Sequence, residues 1–287
     1  MSLIRSLESP ILLPSEVAAA PCSTAAERVR EGNLATLEED PPRVAPAYPV
    51  DLQMVVPAIN EERRIGRTLA ELCAHLSSRP WSSEVIVVDN GSADATPEVV
   101  DLCNSDGVPI EVVGCRQRGK GAAVREGIRN TTARWVGYCD ADLSTPPEAI
   151  DEAVALVRSG VDVVIGSRKC EGAAYVLPQP AVRRVGSAAF HSLSSRLVGP
   201  IADTQCGFKV FRGDIARELV ASSHLAGFAF DIEILAQAVR RGLRIVEMPV
   251  CWTDREGSTF RPVSDGVRVL RELIEVQRAM RDDVRIP

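Results

Sequence analysis

The chain has 287 residues, and 45% of them are apolar, so it is long enough to bury one large hydrophobic core. Glycine and proline contribute 20 and 19 residues, close to average usage, which excludes collagen-like and low-complexity chains. The formal net charge is −6, with 33 Lys and Arg against 39 Asp and Glu. This balance argues against a nucleic-acid-binding protein, because binding to phosphate backbones needs a basic field.

Residues 1–49 differ in composition from the rest, since they hold seven of the 19 prolines. Proline restricts the backbone and removes an amide donor, so it interrupts helices and strands. We therefore expect a Pro-rich, partly flexible N-terminal extension over 1–49, followed by one α/β domain over 50–287.

The eight cysteines lie far apart and include no CxxC pair, which favours reduced thiols over a zinc site or a disulfide framework. No apolar stretch approaches the roughly 20 residues that cross a bilayer. The first residues also lack the pattern of a signal peptide. These features predict a cytoplasmic protein, with peripheral contact at the cytoplasmic face of a membrane left open.

From residue 50 onward, short runs rich in Val and Ile alternate with helical patterns. Such alternation is typical of parallel strands joined by crossover helices, and it predicts an α/β sandwich. The predicted strands cover residues 51–56, 84–88, 110–113, 135–139 and 161–165.

Two of the intervening helices have recognisable starts, in which a threonine precedes a proline. These starts are Thr96-Pro97 and Thr145-Pro146, and we expect each hydroxyl to cap its helix. Beyond residue 166 the pattern predicts a helix at 183–198, a strand at 207–211, a helix at 231–241 and a final amphipathic helix at 264–281.

Four of the predicted strands end in polar residues. In open α/β sheets, ligands bind where the strands deliver their carboxyl ends into loops, so these segments are the first candidates for a site. They are Pro57-Ala58-Ile59-Asn60-Glu61-Glu62, Asp89-Asn90-Gly91-Ser92, Arg116-Gln117-Arg118-Gly119-Lys120-Gly121 and Asp140-Ala141-Asp142.

The segment Asp140-Ala141-Asp142 projects two carboxylates from the end of a strand. Hard divalent cations that share the oxygens of a diphosphate use ligands of this kind. An isolated Asp-x-Asp is more often a turn, and the preceding buried strand is what favours a metal site here. Asp89 also follows a strand, where it indicates either a turn or an acceptor for a nucleobase or ribose.

The segment Arg118-Gly119-Lys120-Gly121 places cations and flexible backbone at the start of a helix. Free N–H groups and the helix dipole favour an anion at such a position. The alternative is a solvated basic loop. The spacing matches neither a P-loop nor GxGxxG, so it does not support a kinase, a GTPase or a dinucleotide-binding enzyme.

Taken in order, these segments resemble the inverting family 2 glycosyltransferases, and within that family the dolichyl- and polyprenyl-phosphate glucosyl and mannosyl synthases. The resemblance covers about residues 52–280 and leaves the extension outside. It is carried by Val55-Val56-Pro57-Ala58-Ile59-Asn60-Glu61-Glu62, Val88-Asp89-Asn90-Gly91-Ser92-Ala93-Asp94-Ala95-Thr96, Gly119-Lys120-Gly121, Asp140-Ala141-Asp142 and Asp203-Thr204-Gln205-Cys206-Gly207-Phe208-Lys209.

The resemblance implies a GT-A fold, which is a Rossmann-like three-layer sandwich with a mostly parallel central sheet. It implies a nucleoside-diphosphate sugar as donor, and Mg2+ or Mn2+ held through Asp140 and Asp142. Many relatives carry Gln where this chain has Ser144, which argues against a further metal contact at that position. The donor-binding residues that it implies are Pro57, Ala58, Asn60, Glu61, Asp89, Gly91, Lys120, Asp140, Arg255 and Ser258. The catalytic residues that it implies are Asp142, Asp231, Arg168 and Arg183.

The activity implied by the resemblance is metal-dependent, inverting transfer of a hexose from a donor of UDP-glucose or GDP-mannose type to a polyprenyl or dolichyl phosphate. A phosphate oxygen is already anionic at neutral pH, whereas a hydroxyl acceptor needs a general base within hydrogen-bond reach. Asp231 matches the acidic position that serves as base in hydroxyl-glycosylating relatives, and its alternative role is a helix N-cap. A glycosyltransferase acting on a small soluble hydroxyl acceptor therefore stays open.

Two other classes rank lower. A sugar nucleotidyltransferase usually has a Gly-rich loop with Arg and Lys directly after its first strand, and residues 57–62 contain no such loop. A non-catalytic nucleotide-binding protein would keep Asp89 without needing the paired carboxylates.

Overall fold

The structure is a computed structural model that describes residues 48–175 and 194–253, together with Glu272, Leu273 and Val276. Arg183, Arg255 and Ser258, three of the predicted site residues, lie outside the described residues. So do nearly all of the predicted extension and most of the two predicted helices at 183–198 and 264–281.

The described part of the chain alternates strands and helices. The strands are β1 (Leu52–Ala58), β2 (Ser83–Asp89), β3 (Ile110–Gly114), β4 (Trp135–Tyr138), β5 (Val163–Ser167), β6 (Ala174–Tyr175), β7 (Lys209–Arg212), β8 (Ile245–Pro249) and β9 (Cys251–Trp252). The helices are α1 (Ile65–Ser77), α2 (Thr96–Asp101), α3 (Lys120–Arg129), α4 (Ala149–Arg158), α5 (Gly213–Ala221) and α6 (Phe230–Arg240), and residues 194–198 are also helical.

Seven strands form one sheet in the order β3-β2-β1-β4-β7-β5-β8. All neighbouring pairs are parallel except those that β7 makes with β4 and β5, which are antiparallel. Strands β6 and β9 form a separate parallel pair. The predicted α/β fold with a mostly parallel sheet is confirmed, and all five predicted strands of the first half are present.

Helices cover both faces of the sheet, and each face has its own hydrophobic core. On one face Met54 of β1 packs in a cluster with Leu69 of α1 and Val154 of α4. On the other face Val55, the next residue of β1, belongs to a cluster with Ile128 of α3 and Leu235 of α6. Because neither face meets water, the strand is apolar without alternation, as expected for a parallel sheet between two helical layers.

The two threonine caps predicted from the sequence are wrong. The N-cap residue of α2 is Ala95 and that of α4 is Glu148, and neither helix has a side-chain cap. The hydroxyl of Thr96 instead accepts a hydrogen bond from the amide of Glu61 at 2.8 Å. The hydroxyl itself donates to the carboxylate of Asp94, so one tertiary bond and one local bond take the place of the predicted cap.

One edge of the sheet collects the polar segments. The parallel strands β1, β2, β3, β4, β5 and β8 all end there, and the antiparallel strand β7 begins there with Lys209. The backbone polarity of the sheet thus brings together loops that are far apart in the chain.

Candidate active site

The loops that follow β1 and β2 are joined by hydrogen bonds. Asn60, in the left-handed backbone region with φ 54°, accepts a bond from the amide of Ala93 at 2.8 Å on its side-chain oxygen. Its own amide donates to the hydroxyl of Ser92 at 3.0 Å. The carboxylate of Asp89 accepts bonds from the amides of Ser92 at 3.1 Å and Gly91 at 3.3 Å. The structure therefore brings together the predicted residues Asn60, Asp89 and Gly91.

Glu61 lies between this corner and the acidic pair. Its two carboxylate oxygens each accept a bond from the guanidinium of Arg64, both at 2.7 Å. Burial raises the pKa of Glu61, and the negative charges of Asp142 and Asp94 add to the rise, while Arg64 opposes it. The electrostatic influence of Asp142 places Glu61 close to the predicted metal site. Pro57 and Ala58 precede it at the end of β1, half-buried and buried respectively.

Asn90 is buried and joins two loops, a role that its place in a predicted turn did not reveal. Its side-chain amide donates to the carbonyl of Gln117 at 2.7 Å, and its oxygen accepts from the amide of Gly119 at 2.7 Å. A side chain at Gly119, whose φ is 129°, would lie 2.1 Å from the carbonyl oxygen of Ala226. Asn90 and this close approach hold the Lys120 segment against the end of β2.

The acidic pair sits at the end of β4, on a tight turn. Leu143, with φ 47°, donates its amide to the carbonyl of Asp140 at 3.1 Å. The hydroxyl of Thr68 in α1 donates a hydrogen bond to the carbonyl of Ala141 at 2.6 Å. One oxygen of Asp142 accepts bonds from both the amide and the hydroxyl of Ser144, at 2.9 and 2.8 Å. Ser144 thus orients the carboxylate of Asp142.

Lys120 forms an ion pair with Asp140 at a distance of 2.5 Å between Nζ and Oδ1. The side chain of Lys120 is 20% exposed and that of Asp140 is 38% exposed. Burial alone would lower the pKa of Lys120, but the charges of Asp140 and Asp231 outweigh it and raise the pKa above its ordinary value. Lys120 is therefore a firmly charged cation beside the acidic pair.

The residues at this point fit a hard divalent cation. Asp140 and Asp142 supply carboxylate oxygens at a partly exposed edge, and the ammonium of Lys120 already marks a position that favours positive charge. Residues 48–175 and 194–253 contain no group of three or more His, Cys, Asp or Glu side chains arranged to hold a metal ion. Such an ion would accordingly need further oxygens from a diphosphate or from water.

The start of α3 has fewer free amides than the sequence suggested. The amide of Gly119 donates to Asn90, and that of Ala122 donates to the carbonyl of Ala226 at 3.1 Å. The side chain of Lys120 is paired with Asp140. The predicted anion site at this helix start therefore depends on the ammonium of Lys120 more than on a cluster of backbone donors.

Arg168 follows β5 and is paired with Asp203, a partner that the sequence did not reveal. Its guanidinium and its amide make three bonds to the Asp203 carboxylate, at 2.7, 2.9 and 3.0 Å. Burial opposes ionisation of Asp203, but Arg168 outweighs it and holds the pKa at about 2. The guanidinium also lies over the ring of Trp252, 5.5 Å from its centroid. Arg168 is held at the same edge of the sheet, and its contact with phosphate stays a prediction.

Asp231 lies at the start of α6, but its carboxylate does not cap the helix. The N-cap residue is Ala229, and the helix has no side-chain cap. The buried Asp231 instead accepts bonds from the hydroxyl of Tyr138 and from Nζ of Lys209, the latter at 2.6 Å. Burial raises the pKa of Tyr138, and the charge of Asp231 raises it further. The alternative role of Asp231 as a helix cap is therefore wrong.

Comparison with known protein families matches residues 54–220 to the family described as "Glycosyl transferase family 2". The dolichyl-phosphate beta-glucosyltransferase of Drosophila melanogaster is 33% identical over 244 residues, which cover 79% of this chain and 74% of that protein. The human protein of the same description is 31% identical over 242 residues, with 79% and 74% covered.

Solved structures give the same fold. The glucosyl-3-phosphoglycerate synthase of Mycobacterium tuberculosis, crystallised with Mn2+, UDP-glucose and phosphoglyceric acid, superimposes with a TM-score of 0.59. Its sequence is 21% identical, and the match covers 79% of this chain and 80% of that one. A likeness at this level of identity establishes the architecture, so the predicted GT-A fold is confirmed.

Proposed function

The chain belongs to glycosyl transferase family 2 and is a glycosyltransferase. We propose that it transfers a hexose from a nucleoside-diphosphate sugar to a polyprenyl or dolichyl phosphate. In this proposal the transfer proceeds with inversion and depends on Mg2+ or Mn2+. Membership of this family argues against the sugar nucleotidyltransferase and the non-catalytic protein. The observation that carries the proposal is the partly exposed pair Asp140 and Asp142, at the carboxyl edge of the sheet and beside the cation of Lys120.

The donor is of the UDP-glucose type. Relatives with about 30% identity over most of the chain are named dolichyl-phosphate beta-glucosyltransferases. A β-linked product from an α-linked sugar nucleotide requires inversion at the anomeric carbon, which supports a single displacement. In this proposal Asp89 and Asn60, with the end of β1, bind the nucleoside, and Lys120 binds the diphosphate.

The metal would be held by Asp140 and Asp142, and when bound it supplies positive charge that stabilises the leaving nucleoside diphosphate. Ser144 orients the carboxylate of Asp142 by donating two hydrogen bonds to one of its oxygens. Lys120 adds a second cation in the same place, and fixed charges of this kind act where negative charge develops in the transition state. Arg168 and Arg183 remain proposed contacts of the phosphates.

The surroundings of Asp231 favour a phosphate acceptor. A general base must accept a proton from the attacking hydroxyl. Taking up that proton would cost Asp231 its buried ion pair with Lys209 and its bond from Tyr138. An acceptor that is already anionic avoids this cost, and the relatives named above are described as acting on dolichyl phosphate.

The proposed organisation is an extension over 1–49 and one catalytic domain over 50–287. In residues 48–175 and 194–253, no helix is long and apolar enough to cross a bilayer. We propose peripheral contact with the cytoplasmic face of a membrane, since a polyprenyl phosphate is anchored there by its hydrocarbon chain. Arg255 and Ser258 stay proposed as part of a loop over the donor.

The proposal is tested by incubating the full chain with MnCl2 and either UDP-glucose or GDP-mannose. Each donor is offered with a short polyprenyl phosphate or with 3-phosphoglycerate, which carries a free hydroxyl. We expect mass spectrometry to detect a hexosyl phosphate lipid, formed fastest from UDP-glucose and lost on addition of EDTA. Transfer only to 3-phosphoglycerate would replace the proposal by the soluble hydroxyl acceptor, and turnover that ignores EDTA would contradict the role of the metal.

A further inference from the structure

Lys209 is a fully buried cation at the functional edge of the sheet. It is the first residue of β7, the one strand of the main sheet that runs against its neighbours, and its side chain has no exposed surface. Only three of the 33 basic residues of the chain are lysines, namely Lys120, Lys169 and Lys209. All three follow or begin a strand or helix at this edge. The three ammonium groups of the chain are thus all found at this edge of the sheet.

The ammonium of Lys209 has a partner for each of its three N–H donors. It lies 2.6 Å from Oδ1 of Asp231, 2.8 Å from the carbonyl of Cys206 and 3.3 Å from the carbonyl of Thr204. The ring of Tyr138 is a further neighbour, with its centroid 5.4 Å away. A single charged group therefore ties α6 to the segment that precedes β7.

Stability alone is a poor explanation for this ion pair. Burying two charges costs desolvation energy that their attraction barely repays, and well-packed apolar residues are often equally stable in the same place. What a saturated buried network does supply is a defined position for each group in it. The question is which functional group this network positions.

Both branches of the network lead to Asp140. In the first branch, Lys209 pairs with Asp231, which accepts a bond from the hydroxyl of Tyr138. Tyr138 is the last residue of β4, two positions before Asp140. In the second branch, the ammonium of Lys209 donates to the carbonyl of Cys206. The next residue, Gly207, lies with its backbone directly against Asp140. A side chain built at Gly207 would lie 1.8 Å from Oδ2 of that carboxylate. The two branches therefore fix Asp140 from its own strand and from the neighbouring one.

We infer that Lys209 is a positioning residue that holds Asp140, through Tyr138 and Gly207, in the orientation that binds the metal–diphosphate group. This inference rests on the proposed function and adds to it a role for a residue that makes no contact with substrate. It also makes Asp231 a partner in that support, in place of a proton acceptor.

The test replaces Lys209 by methionine, which keeps the length of the side chain and removes its charge. We expect Lys209→Met to weaken Mn2+ binding at least about tenfold, measured in the presence of UDP from the electron paramagnetic resonance signal of free Mn2+. The kcat with UDP-glucose should fall by a larger factor than its KM rises. The melting temperature should also fall, on the order of 10 °C, because Asp231 is left buried without its cation.

A double variant separates position from stability. Lys209→Met combined with Asp231→Asn removes both charges and leaves Tyr138 an oxygen to donate to. We expect at least half of the lost melting temperature to return while Mn2+ affinity stays at the level of the single variant. Recovery of Mn2+ affinity together with stability would overturn the inference. If the single variant does not fold, the double variant carries the same test.

Arg212→Met is the matched control, at the opposite end of the same strand. Arg212 pairs with Asp162 at 2.9 Å and with Asp214 at 2.6 Å, three residues along β7 from Lys209. Its loss should lower the melting temperature and leave Mn2+ affinity unchanged. An equal loss of Mn2+ affinity in this control, or unchanged affinity in Lys209→Met, would overturn the inference about Lys209 and leave the proposed function standing. A wild-type protein that binds no Mn2+ with UDP would overturn the proposed function as well.

Discussion

The ammonium of Lys120 lies 2.5 Å from a carboxylate oxygen of Asp140, the residue through which the proposed metal would be held. In the absence of a donor, this cation neutralises one member of the acidic pair. A nucleoside diphosphate offers Lys120 another anion, so its arrival would free Asp140 for the metal. Binding of the metal and binding of the donor are therefore expected to depend on each other.

Lys120→Met should change the two binding events in opposite directions. Without nucleotide, we expect Mn2+ to bind about tenfold more tightly, because the pair has lost its competing cation. With UDP-glucose, we expect the KM of the donor to rise about tenfold, because the diphosphate has lost a partner. The first is measured by titration with Mn2+ in the absence of nucleotide, and the second by steady-state kinetics with varied UDP-glucose. Arg129→Met, at the exposed opposite end of α3, is the control and should change neither value.

Asp142→Asn should remove transfer and leave the fold intact. The substitution deletes a charge of the proposed metal site, and we expect kcat/KM to fall at least about 100-fold at saturating Mn2+. The melting temperature should change by only a few degrees, because the amide oxygen can still accept the bonds from Ser144. Asp151→Asn makes the same chemical change on the surface of α4, where Asp151 pairs with Arg79, and it should keep full activity. Near-normal turnover in Asp142→Asn would refute the assignment.

Gly207→Ala tests the close approach to Asp140. The added Cβ would lie 1.8 Å from Oδ2, and the atom that must yield is the end of the carboxylate side chain. We therefore expect a loss of Mn2+ affinity with UDP, on the order of tenfold, with little change in the urea midpoint of unfolding. Gly114→Ala is the control, since nothing lies within 4 Å of its added Cβ. Equal Mn2+ affinity in both variants would show that Asp140 adjusts without cost.

The lowered pKa of Asp203 predicts that the free energy of unfolding depends on pH. Its pKa is lowered from 3.8 to about 2 in the folded protein, so the stabilisation is present above pH 3.8 and is lost as the pH falls through about 2. The shift corresponds to about 2 kcal/mol of unfolding free energy. We expect Asp203→Asn to be less stable than the wild type at pH 7 in urea unfolding, with the difference shrinking between pH 4 and 2. A difference that stays constant over this range would contradict the role of the ion pair with Arg168.

The first half of the sheet was predictable from the sequence because its strands contain short runs rich in Val and Ile, most of which are followed by polar residues. Strand β8, at Ile245–Pro249, was not predicted, because Glu247 interrupts its apolar run and Pro249 ends it. The strand near residue 209 was predicted, but its antiparallel direction was not. Strand direction depends on how the chain returns to the sheet, and hydrophobic pattern carries no information about it.

The site divides in the same way. Asp140 and Asp142 stand out in the sequence because two carboxylates directly follow a buried strand. Asp231 with Lys209, and Arg168 with Asp203, are pairs separated by 22 and 35 positions in the chain. Each residue alone was open to several readings, and a helix cap for Asp231 was among them. The role of each residue depends on its partner in the fold. The sequence does not reveal that partner, because it lies many positions away in the chain.

The sequence by itself determined the family, the α/β fold and the acidic pair of this glycosyltransferase, because these follow from local order: apolar runs, the polar residues after them and their succession. Only the tertiary structure decided that Asp231, the candidate base, is held in a buried ion pair with Lys209, and that Lys120 pairs with Asp140, a carboxylate of the proposed metal site. Those facts follow from charges brought together at one edge of a folded sheet, where burial strengthens every electrostatic contact.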